Sequence, residues 1–210
     1  MVNKVIAIGA HPDDIEIGAA GTIKKFSNSG AEVFFLIATY GENSHPAPAL
    51  QIEQRKKESI ASAEYLGVKQ IFFLNLHDTK IEHNGMTVSA IEKYINLLDP
   101  NFVLTHTKED GHQDHKNLAF STISACRRKK INILHYETPS TAQTFLPTLY
   151  SDISDTIKYK LETLKMFVSQ NHKNYLDPEV IKGLSQYRGY TSGSEYAEGF
   201  EVSKFYLNDF

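Results

Sequence analysis

His11, Asp13 and Asp14 sit together near the start of the chain, and His112, Asp114 and His115 form a second such group about half the chain later. In each group the outer members are three positions apart. Residues at i and i+3 share a helix face, so both side chains can point into one site. A catalytic zinc typically takes three His or carboxylate ligands and keeps a fourth position for water. Two His and one Asp from these groups satisfy that, and the remaining acid and His are then free to move protons. The chemistry implied is metal-assisted hydrolysis. The competing reading is local: Asp13 or Asp14 caps the helix that follows, and Asp114 caps the next one. Two such pairs, each following a strand, favour the site. A two-His, one-carboxylate set does not select its ion, so zinc, iron(II) and other divalent metals are all compatible.

The elements that would position these groups follow from the apolar pattern. Strands are expected at Val5–Ala10, Glu32–Thr39, Gln70–Asn75, Asn101–His106 and Ile131–Tyr136. Their continuous apolar runs suit a parallel sheet covered on both faces. Helical stripes lie between them: Ile15, Ala19, Ile23 and Phe26; Ile52, Ile60, Ala63 and Leu66; Val88, Ile91, Ile95 and Leu98; Leu118, Thr122, Ile123 and Cys126. Ile153, Ile157, Leu161, Leu164 and Val168 mark a fifth amphipathic helix. The stretch from Tyr187 reads as a loop followed by a strand from about Phe200. The alternation predicts an α/β fold with a doubly wound, mostly parallel sheet and helices on both faces, as one domain over 1–210. In such a sheet, ligands bind beyond the carboxyl ends of the strands. Those ends carry the His11 and His112 groups, with Thr39 to His45, His77 and Asp78, His106, and His135 and Glu137. Taken singly, most of the nine His are expected in core or surface roles; His106 and His135 stand out by their place on the active edge.

Composition narrows the function classes. Lys and Arg total 22 against 25 Asp and Glu, a net charge of -3, which gives no electrostatic case for nucleic-acid binding. No apolar run approaches the roughly 20 residues of a membrane span. The start of the chain reads as a first strand rather than a signal peptide, and the expected location is the cytoplasm. Cys126 is the single cysteine, falls on a helix stripe, and is expected to be buried and inert. The glycines after the first strand lack the G-x-G-x-x-G spacing, and two carboxylates there would repel a pyrophosphate. No G-x-S-x-G is present, which disfavours serine hydrolase chemistry.

"AHPDDIE" (Ala10–Glu16) together with "HQDH" (His112–His115) resembles the LmbE-like, or PIG-L, family of zinc-dependent N-deacetylases. "RKKESIASAEYLGV" (Arg55–Val68) and "RGYTSGSEYAEGFEV" (Arg188–Val202) are similar to further family segments. The resemblance implies a Rossmann-like fold and hydrolysis of the N-acetyl group of an amino sugar of the N-acetylglucosamine type. Carried over by motif, His11, Asp14 and His115 would ligate Zn2+, and Asp13 would be the general base on the attacking water. His112 would stabilise or protonate the tetrahedral intermediate, Asp114 would orient His112, and Arg55 would bind substrate. Arg55 also falls on the inward side of its helix, where an ion pair with Glu58 is the structural alternative. Many members place Glu directly after the two acids; here Ile15 intervenes before Glu16 and fits the apolar stripe. Two other functions are kept in view: an amidase for a larger N-acyl or thiol-glycoside conjugate, and a non-catalytic sugar- or nucleotide-binding module. A homo-oligomer is expected, because the closing "FYLNDF" presents apolar rings that need cover. The loops at 40–50, 76–85 and 138–152 are expected to select the substrate.

Overall fold

The computed structural model describes residues 4–44 and 48–206, so His45 and the last four residues of "FYLNDF" lie outside the described residues. Among the described residues, seven strands form one sheet: β1 (Lys4–Gly9), β2 (Glu32–Ile37), β3 (Gln70–Phe73), β4 (Phe102–His106), β5 (Asn132–Tyr136), β6 (Leu149–Asp152) and β7 (Ala197–Lys204). Their order is β3-β2-β1-β4-β5-β7-β6. The first five are parallel, and β7 runs antiparallel to both β5 and β6. Six α-helices connect them: α1 (Asp14–Asn28), α2 (Pro48–Leu66), α3 (Gly85–Leu98), α4 (Gln113–Ala125), α5 (Ile157–Lys165) and α6 (Pro178–Ser192).

Alternate strand residues serve opposite layers. Val5, Ala7, Val33 and Phe35 pack with Ile15, Ala19 and Ile23 of α1 and Leu66 of α2. Ile6, Ile8, Phe34 and Leu36 pack with Ile91 and Ile95 of α3 and Leu118 of α4. This period of two on a sheet covered on both sides is why the strands read as unbroken apolar runs. Ile15 and Ile23 are fully buried, and each such side chain contributes about 2 kcal/mol of burial. Gly18 lets α1 lie against Tyr136, because a Cβ there would collide with the ring. Cys126 is buried in the second layer, and burial pushes its thiol up to about 12.

Four elements differ from the sequence reading. Residues 187–192 belong to α6 rather than a loop, and β7 starts at Ala197, before Phe200. β6 was not foreseen; it is a four-residue edge strand. The fifth helix spans only Ile157–Lys165, leaving Ile153 before it and Val168 after it, 61% exposed.

The strand order reverses between β1 and β4. Such a switch point opens a crevice at the carboxyl ends of the two strands. His11 follows β1 and the His112 group follows β4, so the fold itself brings both groups to one crevice.

Candidate active site

His11, Asp13 and Asp14 occupy the turn from β1 into α1. Asp13 has φ 97°, the left-handed region, and its carboxylate makes no capping hydrogen bond to α1. A non-glycine residue there is strained, and such strain gathers at functional sites. The capping reading of Asp13 therefore does not describe this turn. Asp14 is the first helical residue, and its Oδ2 accepts from the His11 backbone N–H at 2.7 Å.

Three side chains, His11, Asp14 and His115, form a donor triangle through four atoms, since Asp14 turns a different oxygen to each imidazole. His11 Nδ1 lies 3.3 Å from Asp14 Oδ2, His115 Nε2 lies 3.3 Å from His11 Nδ1, and His115 Nε2 lies 3.4 Å from Asp14 Oδ1. A tetrahedral ion with N and O ligands at about 2.0–2.1 Å separates its ligand atoms by ~3.3–3.4 Å. The other ring nitrogens are also fixed. His11 Nε2 faces Asp78 Oδ1 at 3.0 Å and Asp114 Oδ2 at 3.3 Å, and His115 Nδ1 faces Asp110 Oδ2 at 3.2 Å. A carboxylate on the far nitrogen is how ligating imidazoles are oriented and made more basic. Among the described residues, two further donor sets, His11–His112–Asp114 and His106–Asp110–His115, each share one imidazole with this triangle.

Charge points the same way. Asp13, Asp14, Asp78, Asp110 and Asp114 are all buried around His11 and His115. Burial lowers the His11 pKa, but bonds to Asp114, Asp14 and Asp78 outweigh it and hold the ring well above its usual range. His115 is likewise depressed by burial yet raised to about 9 by Asp14 and Asp110. Asp14 is raised by burial but held well below the usual carboxylate range by His115 and His106. The residues thus fit a cation: the carboxylate surplus presses the imidazoles into serving as one.

Asp13 stands apart from the triangle. Its Oδ2 accepts from Arg55 Nη2 at 3.1 Å and from the Tyr175 hydroxyl at 3.3 Å. Burial raises its pKa to about 6 against the pull of Arg55, with Asp14 adding to the rise. A buried carboxylate tuned in this direction suits a general base near neutral pH. Arg55 also bonds to the carbonyls of Pro12, at 2.5 Å, and Gly41, at 3.3 Å. Gly41 has φ 63°, and a Cβ there would collide with the guanidinium. The alternative Arg55–Glu58 pair does not form; Glu58 accepts from Gln54 and Ser169 instead.

On the β4 side the same spacing gives a different result. His112 is the N-cap of α4, its Nδ1 accepting from the Asp114 backbone N–H at 3.2 Å. The N–H of the neutral ring is then on Nε2, and His112 lines the crevice. Burial, with His115 and His11 nearby, lowers its pKa and favours that neutral form. Asp114 is hydrogen-bonded to His112 through its backbone N–H, and its carboxylate acts on that ring through its charge alone. Its carboxylate accepts from Thr79 N at 2.7 Å and Ile81 N at 3.2 Å, and so ties the loop after β3 to His11.

Sequence reasoning had not singled out Asp110 or Tyr175, and had named Asp78 only as a strand-end residue. Asp110 accepts from Thr138, Thr141 and Ser140 side chains and from His112 N, binding the loop after β5 to His115. Burial raises its pKa, but His115 more than reverses the shift. His106 is fully buried; its Nε2 accepts from Ala10 N at 3.0 Å and lies 3.1 Å from Asp14 Oδ2. Burial and His115 bring it down to about 4. His135 is a satisfied core residue, bonded to His106 O and Ser203. Glu16 is buried against Ser62. The crevice encloses about 490 Å³, with Ile17 and Pro139 as an apolar wall and Asn43, Arg55 and Asp78 as polar partners.

The sequence pattern of the PIG-L, or GlcNAc-PI de-N-acetylase, family matches residues 6–126, more than half of the chain and both His groups. The chain belongs to this family. Among its relatives, the diacetylchitobiose deacetylase of Thermococcus kodakarensis is 30% identical over 94% of this chain and 82% of that protein. The uncharacterized deacetylase YaiS of Escherichia coli is 32% identical over 81% of this chain and 90% of its own length. Among solved structures, the N,N'-diacetylchitobiose deacetylase of Pyrococcus horikoshii superposes with a TM-score of 0.86, at 24% identity, covering 100% of this chain and 89% of that one. The 4-carboxy-2-hydroxymuconate hydratase GalB of Pseudomonas putida superposes with 0.87 at 19% identity, covering 99% of each chain. At those identities the superpositions establish the PIG-L-type fold. A hydratase on that fold shows why the reaction must be argued from the site. Among the described residues, no helix is long and apolar enough to cross a membrane.

Proposed function

We propose that this PIG-L family protein is a divalent-metal-dependent N-deacetylase of N-acetylglucosamine-type amino sugars. The observation that carries the reading is the donor triangle of His11, Asp14 and His115 with Asp13 held just outside it. Supporting it, the family and its relatives named for a reaction on N-acetylated glucosamine derivatives are deacetylases. Zinc is the proposed ion, since the two-His, one-Asp set and its spacing suit it. When bound, such an ion supplies a more acidic water and a positive charge beside the amide carbonyl.

The chain's own residues do the rest. Asp13 takes the proton of the attacking water. The Nε2–H of His112 donates to the amide oxygen as it becomes anionic. Arg55 holds Asp13 and the Pro12 and Gly41 carbonyls. As the C–N bond breaks, the proton taken by Asp13 passes to the nitrogen, releasing the amine and acetic acid, whose own proton is then lost to leave acetate. Asn43, Asp78 and the Ile17–Pro139 wall are proposed to hold the sugar. A homo-oligomer stays within the proposal, because α6 leaves Tyr187 and Tyr190 58% and 86% exposed.

The test is acetate release from a panel of N-acetylglucosamine, its disaccharide and N-acylated analogues with longer chains, beside metal analysis. One ion per chain and turnover of the acetyl sugars are expected. Turnover of the longer acyl compounds alone would make it an amidase. Sugar binding without metal or turnover would make it a binding module.

A further inference from the structure

Asp13 is poorly held by its own helix: its backbone is left-handed and its carboxylate caps nothing. Its orientation must come from elsewhere. Arg55 on α2 supplies one contact. The other comes from the segment between α5 and α6, two short 3₁₀ turns at Val168–Gln170 and Asn174–Leu176. We infer that this segment, latched to α2 by Glu58, positions Asp13 through the hydroxyl of Tyr175. The inference rests on the deacetylase reading for its rate effects, but not for its structural ones.

The polarity of the latch is set at its far end. A carboxylate only accepts hydrogen bonds. Glu58 takes the Ser169 backbone N–H at 2.9 Å and the Ser169 hydroxyl at 2.6 Å. With its proton committed, Ser169 Oγ accepts from Gln170 Nε2 at 3.1 Å. That fixes the amide and leaves Gln170 Oε1 facing the Tyr175 hydroxyl at 3.4 Å, opposite Asp13 Oδ2 at 3.3 Å. The phenol oxygen is thus bracketed by two acceptors for its single proton, and the charged Asp13 carboxylate is the stronger of the two, so the hydroxyl donates to Asp13. The ring packs with Ile17 and Phe167 in a small apolar cluster, so it cannot swing away cheaply.

The result is a division of the Asp13 carboxylate. Oδ2 carries both Arg55 and Tyr175, while Oδ1 accepts from no described residue. Two donors on one oxygen fix rotation about the Cβ–Cγ bond and leave the other oxygen for the water. Glu58, Ser169 and Gln170 touch neither substrate nor reacting atoms, so they are positioning residues. Tyr175 lines the crevice, and its hydroxyl acts through Asp13.

Tyr175→Phe removes the hydroxyl and little else. Its kcat should fall roughly tenfold, the scale for losing one hydrogen bond to a charged group, with KM and metal content unchanged. Ser169→Ala should lower kcat by a smaller factor, about threefold. Tyr175→Phe with Ser169→Ala should be no slower than Tyr175→Phe alone, because Ser169 acts through that hydroxyl. Unchanged kcat in Tyr175→Phe, a rise in KM at constant kcat, or multiplying effects in the double variant would overturn the inference. Should Ser169→Ala fail to fold, Tyr175→Phe decides alone. A crystal structure of Tyr175→Phe provides a readout free of activity: the Asp13 carboxylate should take a second orientation. A single retained orientation contradicts the positioning role. An absence of acetate release by the wild type would sink the deacetylase reading instead.

Discussion

The two His–carboxylate groups look alike in sequence and do different work in the fold. After β1, His11 and Asp14 both enter the donor triangle, and Asp13 between them points away from it. After β4, only His115 enters; His112 caps α4 and Asp114 ties down the loop after β3. The difference lies in the backbone. The left-handed Asp13 starts α1 at Asp14 and aims it back toward His11. The extended His112 starts α4 two residues earlier relative to its pair, so one imidazole closes the helix end and the other, a turn on, reaches the donor triangle. Spacing of three nominates ligands; the helix start decides which of them ligate.

The sharpest way to break this comparison is to treat the two His of α4 alike. His115→Ala removes a corner of the triangle and should lose both the metal and at least roughly a thousandfold of activity. His112→Ala should keep about one ion per chain while kcat falls roughly 10²–10³-fold, the scale for one lost oxyanion donor. Equal metal loss in the two variants would mean that the triangle has been assigned wrongly.

A smaller effect separates Asp114 from His112. Asn at 114 cannot accept from both Thr79 N and Ile81 N and still face His11. Asp114→Asn should therefore weaken metal affinity by about 10–100-fold, as for other partners of ligating His, with kcat of the metal-saturated enzyme little changed. Competition with a chelator reads the affinity. A loss of kcat at full metal would restore the role of orienting His112 that the motif implies.

Much of this was legible in the chain. The five parallel strands announce themselves by apolar runs because both faces are covered. The inward face of α2 was half legible. Ala63 and Leu66 of the expected apolar stripe are buried, but Ile52 and Ile60 are only half-buried, and the rest of the buried face is polar: Gln51, Arg55, Glu58, Ser59 and Ser62. Polar residues at helical spacing on a buried face mark a helix that lines a site. α6 was missed because Gly189 and the Ser-rich stretch beside it resemble a loop. Gly189 is instead needed where the Glu195 carbonyl crosses the helix, and Asp177–Pro178 is a legible helix start. Asp110 hid within a polar run. Tyr175 had no signal, since only tertiary packing carries it to Asp13.

The central claim is that Asp14 and Asp13, adjacent in sequence, are respectively ligand and base. It is tested most directly by measuring metal content and kcat on the same preparations of Asp13→Asn and Asp14→Asn. Asp13→Asn should retain about one ion per chain while kcat falls by roughly 10²–10⁴, the range for general acid–base help. Asp14→Asn should lose the ion first and activity with it. Near-normal turnover by metal-replete Asp13→Asn, or metal loss in that variant equal to that of Asp14→Asn, would contradict the account.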